Sequence, residues 1–305
     1  HIESHNHYQD GESFLEQKGQ KGPQLDILLP GRYRINPELF QVKKAGTTVI
    51  PKSKIGIISA ESGLTLPKNE FVAQSIEGHE NFQNGAKFLA NGGQRGPQKD
   101  FLKPGTYYIN PYLFKVELKN ELEVRRGEVA VIVSSIGKDP SKDPEKSTSM
   151  REIDYNNKKG IERYVVPDGY RGIQQSVLGP GRYYLNLVAY TPYLIPTTNI
   201  TIDWATSQNE MGTNETNYTH EHSEIKKPTT LLDPLSIVSN DGFQMQVEVK
   251  VIIRILPEQA PHMLGRIGTV RNLIDNVIHP LIDSSFRNQA SSTAAMQFLQ
   301  NRHQE

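Results

Sequence analysis

No cysteine occurs among the 305 residues. That absence removes disulfides, thiolate metal sites and cysteine nucleophiles together, and it leaves the redox compartment open because a chain without thiols suits either environment. Charge of one sign is equally missing: Lys plus Arg and Asp plus Glu each number 34. With no basic field to hold phosphate backbones, nucleic acid is not an expected partner. No apolar run approaches the roughly 18 residues that a spanning helix needs, and the start carries no signal-peptide pattern. A membrane anchor is therefore expected outside this stretch of chain. The sequence also lacks a GxSxG elbow, a Walker loop, a dinucleotide-binding glycine pattern and an HExxH helix. No catalytic residue and no cofactor are assigned, and the chain is read as not an enzyme. Hydrophobic content of 36% suits several small cores better than one large one.

What is present is repetition. The segment Gly22–Val42, GPQLDILLPGRYRINPELFQV, recurs 74 residues later as Gly96–Val116, GPQKDFLKPGTYYINPYLFKV. From His5/His79 to Val42/Val116, 21 of 38 aligned positions are identical. A third copy, 76 residues further on, runs from Arg171 to Asn186 as RGIQQSVLGPGRYYLN. In each copy Pro-Gly sets a turn and a Tyr-rich triplet of strand composition follows. Asn36-Pro37 and Asn110-Pro111 then end the strand, since the residue before proline is pushed out of the α region and proline offers no ladder donor. The third copy has Leu187 in place of that proline. Ile50–Gly63 and Val124–Gly137 are short apolar strands entered from a turn, again one repeat apart. A period near 75 residues exceeds the roughly 20 to 50 of solenoid and propeller units, so tandem small β modules are expected. The first copy has no apolar strand ahead of it and the chain opens on His1, as a segment cut from a larger protein would.

From Leu235 the pattern changes. LSIVS, the turn Asn240-Asp241-Gly242 and FQMQVEVKVIIRI predict a hairpin with one long second strand. Phe243, Met245, Val247, Val249, Val251, Ile253 and Ile255 share its core face, and Ile252 is the exception. After Pro257 the period becomes helical, with an apolar face from Leu273 to Ile282, a kink or break expected near His279 ahead of Pro280, and a third helix capped by Ser292 or Thr293.

The run Asp241–Gly268, followed by VRNLIDNVIHPLIDSSFRNQASSTAAMQFLQNR from Val270 to Arg302, resembles the SPFH or band 7 superfamily, which includes stomatins, prohibitins and flotillins. The Asp-Gly strand entry, the strand exit Arg254-Ile255-Leu256-Pro257, the helix with an internal proline and Arg287-Asn288 before a Ser/Thr-rich helix start carry the likeness. Tyr164–Asn186 is similar to the family's entry strand and Pro-Gly-x-Tyr turn. The first two repeats would then be extra copies of the domain's β half. The resemblance implies a structural scaffold: a membrane-associated homo-oligomer organising a membrane microdomain, anchored outside this stretch, with membrane proteins as cargo and a coiled-coil stalk beyond. The side of the membrane is not legible.

On this reading the chain is an α+β protein in which β-rich tandem small modules lead into an SPFH-like domain and the start of a long helical stalk. Residues 1–45 end a truncated β module and 46–119 form a second. Residues 120–195 and 196–290 are the β and α+β halves of the SPFH domain, and 291–305 begin the stalk. Arg266, Arg271, Asp275, Arg287 and Asn288 lie in or beside the amphipathic helices and are expected at an oligomer interface. His220, His222 and Glu224, in the polar stretch from Ala205 to Thr230, are the densest group of metal-ligand types. A solvated loop is the preferred reading there, because a metal site needs a rigid frame and a second shell. Lys138–Ser149 is expected to be a charged surface loop. Asp26 and Asp100 are expected to cap the Pro-Gly turns, and His79 to have a structural role. Trp204 is expected in a core. Two rival functions remain: a secreted or surface tandem-β binding module, and a regulatory cap of a membrane protease.

Overall fold

The computed structural model of the chain describes residues 22–140, 152–155, 158–161, 165–205 and 229–300. The protein is α+β, with many short strands and five short to medium α-helices among these residues. It divides into two compact units: His1–Val124, Ile132–Gln174 and Gly181–Tyr193 form one, and Arg125–Val131, Gln175–Pro180 and Leu194–Glu305 the other.

In the first unit the second sequence copy is a closed β module. Its elements are β1 (Thr48–Ile50), β2 (Lys54–Ala60), α1 (Gly85–Ala90), β3 (Gly96–Leu102), β4 (Gly105–Tyr107) and β5 (Phe114–Asn120). β2 is the centre of an antiparallel sheet ordered β3-β2-β5, and β1 pairs separately with β4. A central strand covered on both sides buries consecutive residues, which is why KIGIISA is an apolar run and not an alternation. Ile55, Ile57, Ile58 and Ala60 are all buried. Ile58 and Ala60 pack with Phe82, Phe88, Leu102, Leu113 and Phe114.

The third copy repeats the plan. Its strands are β6 (Leu122–Val124), β7 (Glu128–Ser134), β8 (Glu152–Tyr155), β9 (Lys158–Ile161), β10 (Val165–Val166), β11 (Gly172–Leu178), β12 (Gly181–Tyr183) and β13 (Tyr190–Pro196). β12 pairs with β6 as β4 does with β1, and the larger sheet runs β10-β11-β7-β13. β8 and β9 form a hairpin inserted between β7 and β10. Gly63 and Gly137 sit at equivalent places after β2 and β7 with φ of 133° and 110°. A Cβ there would lie 2.3 Å and 2.5 Å from the carbonyl oxygens of Gly93 and Gly169, so only glycine allows this close backbone crossing.

The first copy departs from expectation: Gly22–Val42 forms no regular strand and is largely exposed. Its local turn is nonetheless made. The Tyr33 hydroxyl donates to the Leu29 carbonyl at 2.8 Å, as Tyr107 does to Lys103 at 2.9 Å. The Pro-Gly-x-Tyr turn is satisfied within five residues, whereas a strand needs a partner.

The second unit contains β14 (Ile200–Trp204), β15 (Thr229–Leu232), β16 (Leu235–Val238), β17 (Gln244–Val247) and β18 (Val249–Ile253). Here the single long strand expected after Asn240-Asp241-Gly242 is divided. β17 pairs with β16, then the chain breaks at Glu248 and β18 pairs with β14, which also has β15 beside it in parallel. The period-two pattern is continuous across the break, so it could not reveal that two sheets share it. At its ends Ile255 is buried, while Phe243 is exposed.

A 3-10 turn (Pro257–Gln259) leads into α2 (Ala260–Arg266). Next come α3 (Val270–Leu273), a π-helical turn (Ile274–Ile278), α4 (His279–Ser292) and α5 (Ala295–Gln300). The kink expected near His279 takes the form of the π turn. Pro280 has no N–H and its ring crowds the carbonyl four residues earlier, and a widened turn just upstream relieves both. The His279 N–H accordingly reaches back five residues to the Ile274 carbonyl.

Candidate functional site

The most specific polar feature of the first unit is an asparagine used twice in the same way. Asn110 follows β4 and Asn186 follows β12, and both are buried. The Asn110 Oδ1 accepts the N–H of Tyr112 at 2.9 Å, closing an Asx turn. Its Nδ2 donates to two successive carbonyls of the preceding copy, Gln24 at 3.2 Å and Leu25 at 2.9 Å. Asn186 accepts from Val188 at 3.0 Å and donates to Gln98 and Lys99, each at 2.8 Å. Each side chain thus ties its own strand end to the Gly-x-Gln segment of the copy before it. The rigid amide places one acceptor and two donors where a loop alone would leave buried carbonyls unsatisfied.

The glutamine is part of the same construction. The Gln98 Nε2 donates to the Gln94 and Gly96 carbonyls at 2.7 and 2.8 Å, and the Gln174 Nε2 to Tyr170 and Gly172 at 2.8 and 3.1 Å. Sequence reading treated Asn-Pro as a strand breaker and missed the latch. The signal was available: the third copy keeps the asparagine and loses the proline, so the asparagine is what the repeat retains.

Other side chains in the module have structural partners. His79 is nearly buried, and its Nδ1 accepts the Phe82 N–H at 2.9 Å. That bond closes a turn in which Glu80, Asn81 and Phe82 all have φ between 51° and 62°. Asp100 does not cap the Pro-Gly turn as expected; it accepts from the Ser75 hydroxyl and faces the His79 Nε2 at 3.6 Å. The Lys87 ammonium beside Glu80 holds that carboxyl below its ordinary range. A depression of about 320 Å³ beside Val49, Ile109, Phe114, Val116 and Leu118 has no titratable lining residue.

In the second unit, Trp204 is fully buried and donates from Nε1 to the His279 Nδ1 at 2.9 Å, with the two rings stacked. The π turn before Pro280 therefore delivers His279 to the sheet. At the far end of α4 the expected Ser292 or Thr293 cap is not used. Thr293 is extended, and α5 begins at Ala295. The Ala295 N–H donates instead to the Asp241 Oδ1 at 3.0 Å, and the Asn240 N–H to the Thr293 carbonyl at 3.1 Å. The β16–β17 turn thus caps the last helix from outside it. The Ser239 hydroxyl, 2.5 Å from Asp241, and the Ala295 N–H together hold the Asp241 carboxyl below its ordinary range.

The five residues assigned to an interface are all exposed, but they do not form one cluster. Arg271 pairs with Asp275 at 3.4 Å, and Arg287 pairs with Asp283, which sequence reading did not single out, at 2.9 Å. The midpoints of these pairs are separated along the helical run by roughly 18 Å. Arg266 ends α2 and Asn288 adjoins Arg287. His220, His222 and Glu224, and most of Lys138–Ser149, lie outside the described residues. Among the described residues no group of three or more metal-ligand types converges.

In the second unit a three-stranded sheet and a two-stranded hairpin lead into helices that bend at the π turn ahead of Pro280. Residues 162–305 match the SPFH domain / Band 7 family, so this part of the chain is an SPFH domain. Tyr164–Asn186 lies inside the matched region and the first two copies lie outside it. Such domains belong in general to membrane-associated, non-enzymatic scaffold proteins. No helix among the described residues is long and apolar enough to cross a membrane. No curated protein matches the chain.

Proposed function

We propose that this chain is a protomer of a large membrane-associated homo-oligomer that organises a membrane microdomain. The SPFH domain at residues 162–305 carries the reading. Bilayer contact is made through a segment outside the described residues, and membrane proteins are the cargo. In this scheme 1–45 and 46–119 are tandem β modules ahead of the SPFH halves 120–195 and 196–290, with the stalk starting at 291–305. The helical run supplies a lateral contact surface: Val277 and Leu281 are exposed one turn apart, and the Arg271–Asp275 and Asp283–Arg287 pairs flank them. Exposed pairs of this kind contribute only about 0–1 kcal/mol within one helix, so exchanging partners with a neighbouring protomer costs little. Arg266 and Asn288 are assigned to the same protomer contact.

The test is mass photometry of the intact protein released gently from its membrane. A closed particle of many subunits is expected. A species that stays monomeric or dimeric at micromolar concentration would remove the oligomer. Separately, Arg271→Glu with Arg287→Glu is expected to shrink the particle, and an unchanged size would take this helix face out of the contact.

A further inference from the structure

The break between α4 and α5 has no local cause. Neither proline nor glycine occurs from Leu281 to Gln300, and Ala294 and Ala295, the strongest helix formers, stand at the break itself. Thr293 is nevertheless extended, with φ of −126° and ψ of 134°. The Ser291 and Ser292 hydroxyls donate back to the Asn288 and Gln289 carbonyls at 2.9 Å, inside α4, where the backbone stays helical. What remains to interrupt the helix is a group brought from elsewhere.

The β16–β17 turn is that group, and it takes the backbone atoms a continuous helix would use. The Asn240 N–H donates to the Thr293 carbonyl at 3.1 Å, and the Asp241 Oδ1 accepts the Ala295 N–H at 3.0 Å. In an unbroken helix the Thr293 carbonyl would accept from Gln297, and the Ala295 N–H would donate to the Ser291 carbonyl. The Gln297 N–H turns instead to the Ala294 carbonyl at 3.0 Å. One N–H at Ala295 serves one arrangement or the other. The turn is also preformed: the Gly242 N–H closes on the Ser239 carbonyl at 3.0 Å, Gly242 has φ of 84°, and the Ser239 hydroxyl holds Asp241. On the far side of the break, α4 packs on β16 and its Ala290 is fully buried, whereas Met296 in α5 is 66% exposed. Packing fixes α4, and the turn fixes the start of α5.

We infer that the β16–β17 turn is a clasp with two states. Engaged, it splits the helical run at Thr293 and sets the direction in which α5 leaves the domain. Released, α4 and α5 join through Thr293 into one helix, because the freed Thr293 carbonyl and Ala295 N–H pass to Gln297 and Ser291. The device lies wholly within the second unit and stands apart from the oligomer proposal.

The test reads the Thr293 Cα and Cβ chemical shifts in the whole chain labelled at threonine, with Thr293→Ser to identify the signal. Trp204 is the only tryptophan, so its single indole N–H signal, bonded to His279, reports that the unit is folded. Asn240→Pro with Asp241→Ala removes the donor and the acceptor of the clasp, at a turn position where proline fits. The Thr293 shifts are expected to pass from extended to helical values. Adding Ala294→Pro, which denies a continuous helix one N–H and favours an extended residue before it, is expected to return them. Asp241→Asn keeps an acceptor oxygen and is expected to leave Thr293 extended. If the double variant loses the Trp204 signal, Asp241→Ala alone gives the same reading. Thr293 still extended in a folded clasp variant overturns the inference, and so do averaged coil values there, which would mean that α5 frays and does not join α4. Helical values that survive Ala294→Pro, or that appear in Asp241→Asn, overturn it as well.

Discussion

Gly22–Val42 and Gly96–Val116 are close copies in sequence and differ in structure: the second is a closed module and the first makes only its turns. The comparison separates two kinds of information in one motif. Pro-Gly-x-Tyr and the Asx turn at asparagine are complete within a few residues, so they form in both copies. Strand structure and burial depend on β2, so they appear only where β2 is.

Truncating the same leucine in each copy tests that contrast most strongly. Leu113→Ala should destabilise the first unit by about 2–5 kcal/mol, the usual cost of a core cavity. Leu39→Ala should stay within about 0.5 kcal/mol. Denaturant unfolding of the two variants measures both, and equal effects would show that the first copy is packed in solution. Next in size is the latch. Asn186→Ala strands two carbonyls and an N–H and is expected to cost about 2–4 kcal/mol, whereas Asn36→Ala loses one exposed turn bond and should cost under about 0.5 kcal/mol.

The smallest effect concerns the second unit, where a cap supplied by a distant residue contrasts with the self-contained turns of the repeats. Asp241 titrates from an ordinary value of 3.8 and is held lower in the fold by the Ser239 hydroxyl and the Ala295 N–H. Its contribution is therefore present above the ordinary value and is lost as pH falls through the lowered one. Asp241→Asn should flatten this acid limb in an unfolding-midpoint series across pH, and an identical series for both proteins would show that the cap does not couple to stability.

Much of the architecture was legible in the residues. The repeat spacing located β2, β7 and the Pro-Gly-x-Tyr turns, the tryptophan after an apolar strand was expected in a core as Trp204 is, and the run from Asp241 to Arg302 carried the SPFH likeness that the family match supports. The misses share a cause. The break at Glu248 is invisible to a period-two pattern because both halves keep one apolar face while pairing in different sheets. The α5 cap was assigned to Ser292 or Thr293, the nearest competent residues, when the group that does it lies 54 positions away in Asp241. The asparagine latch spans 85 to 88 positions, far beyond any local rule.

By itself, then, the sequence determined what local sterics and short-range hydrogen bonds decide: where the turns fall, which residues are apolar on successive positions, where proline bends a helix, and that one unit is used again. Only the tertiary structure decided which strands have neighbours, which asparagine amides meet a carbonyl pair, and which carboxylate caps the last helix. Those outcomes depend on groups far apart in the chain meeting at about 3 Å, since a backbone or amide group excluded from water must find its partner wherever the fold brings one.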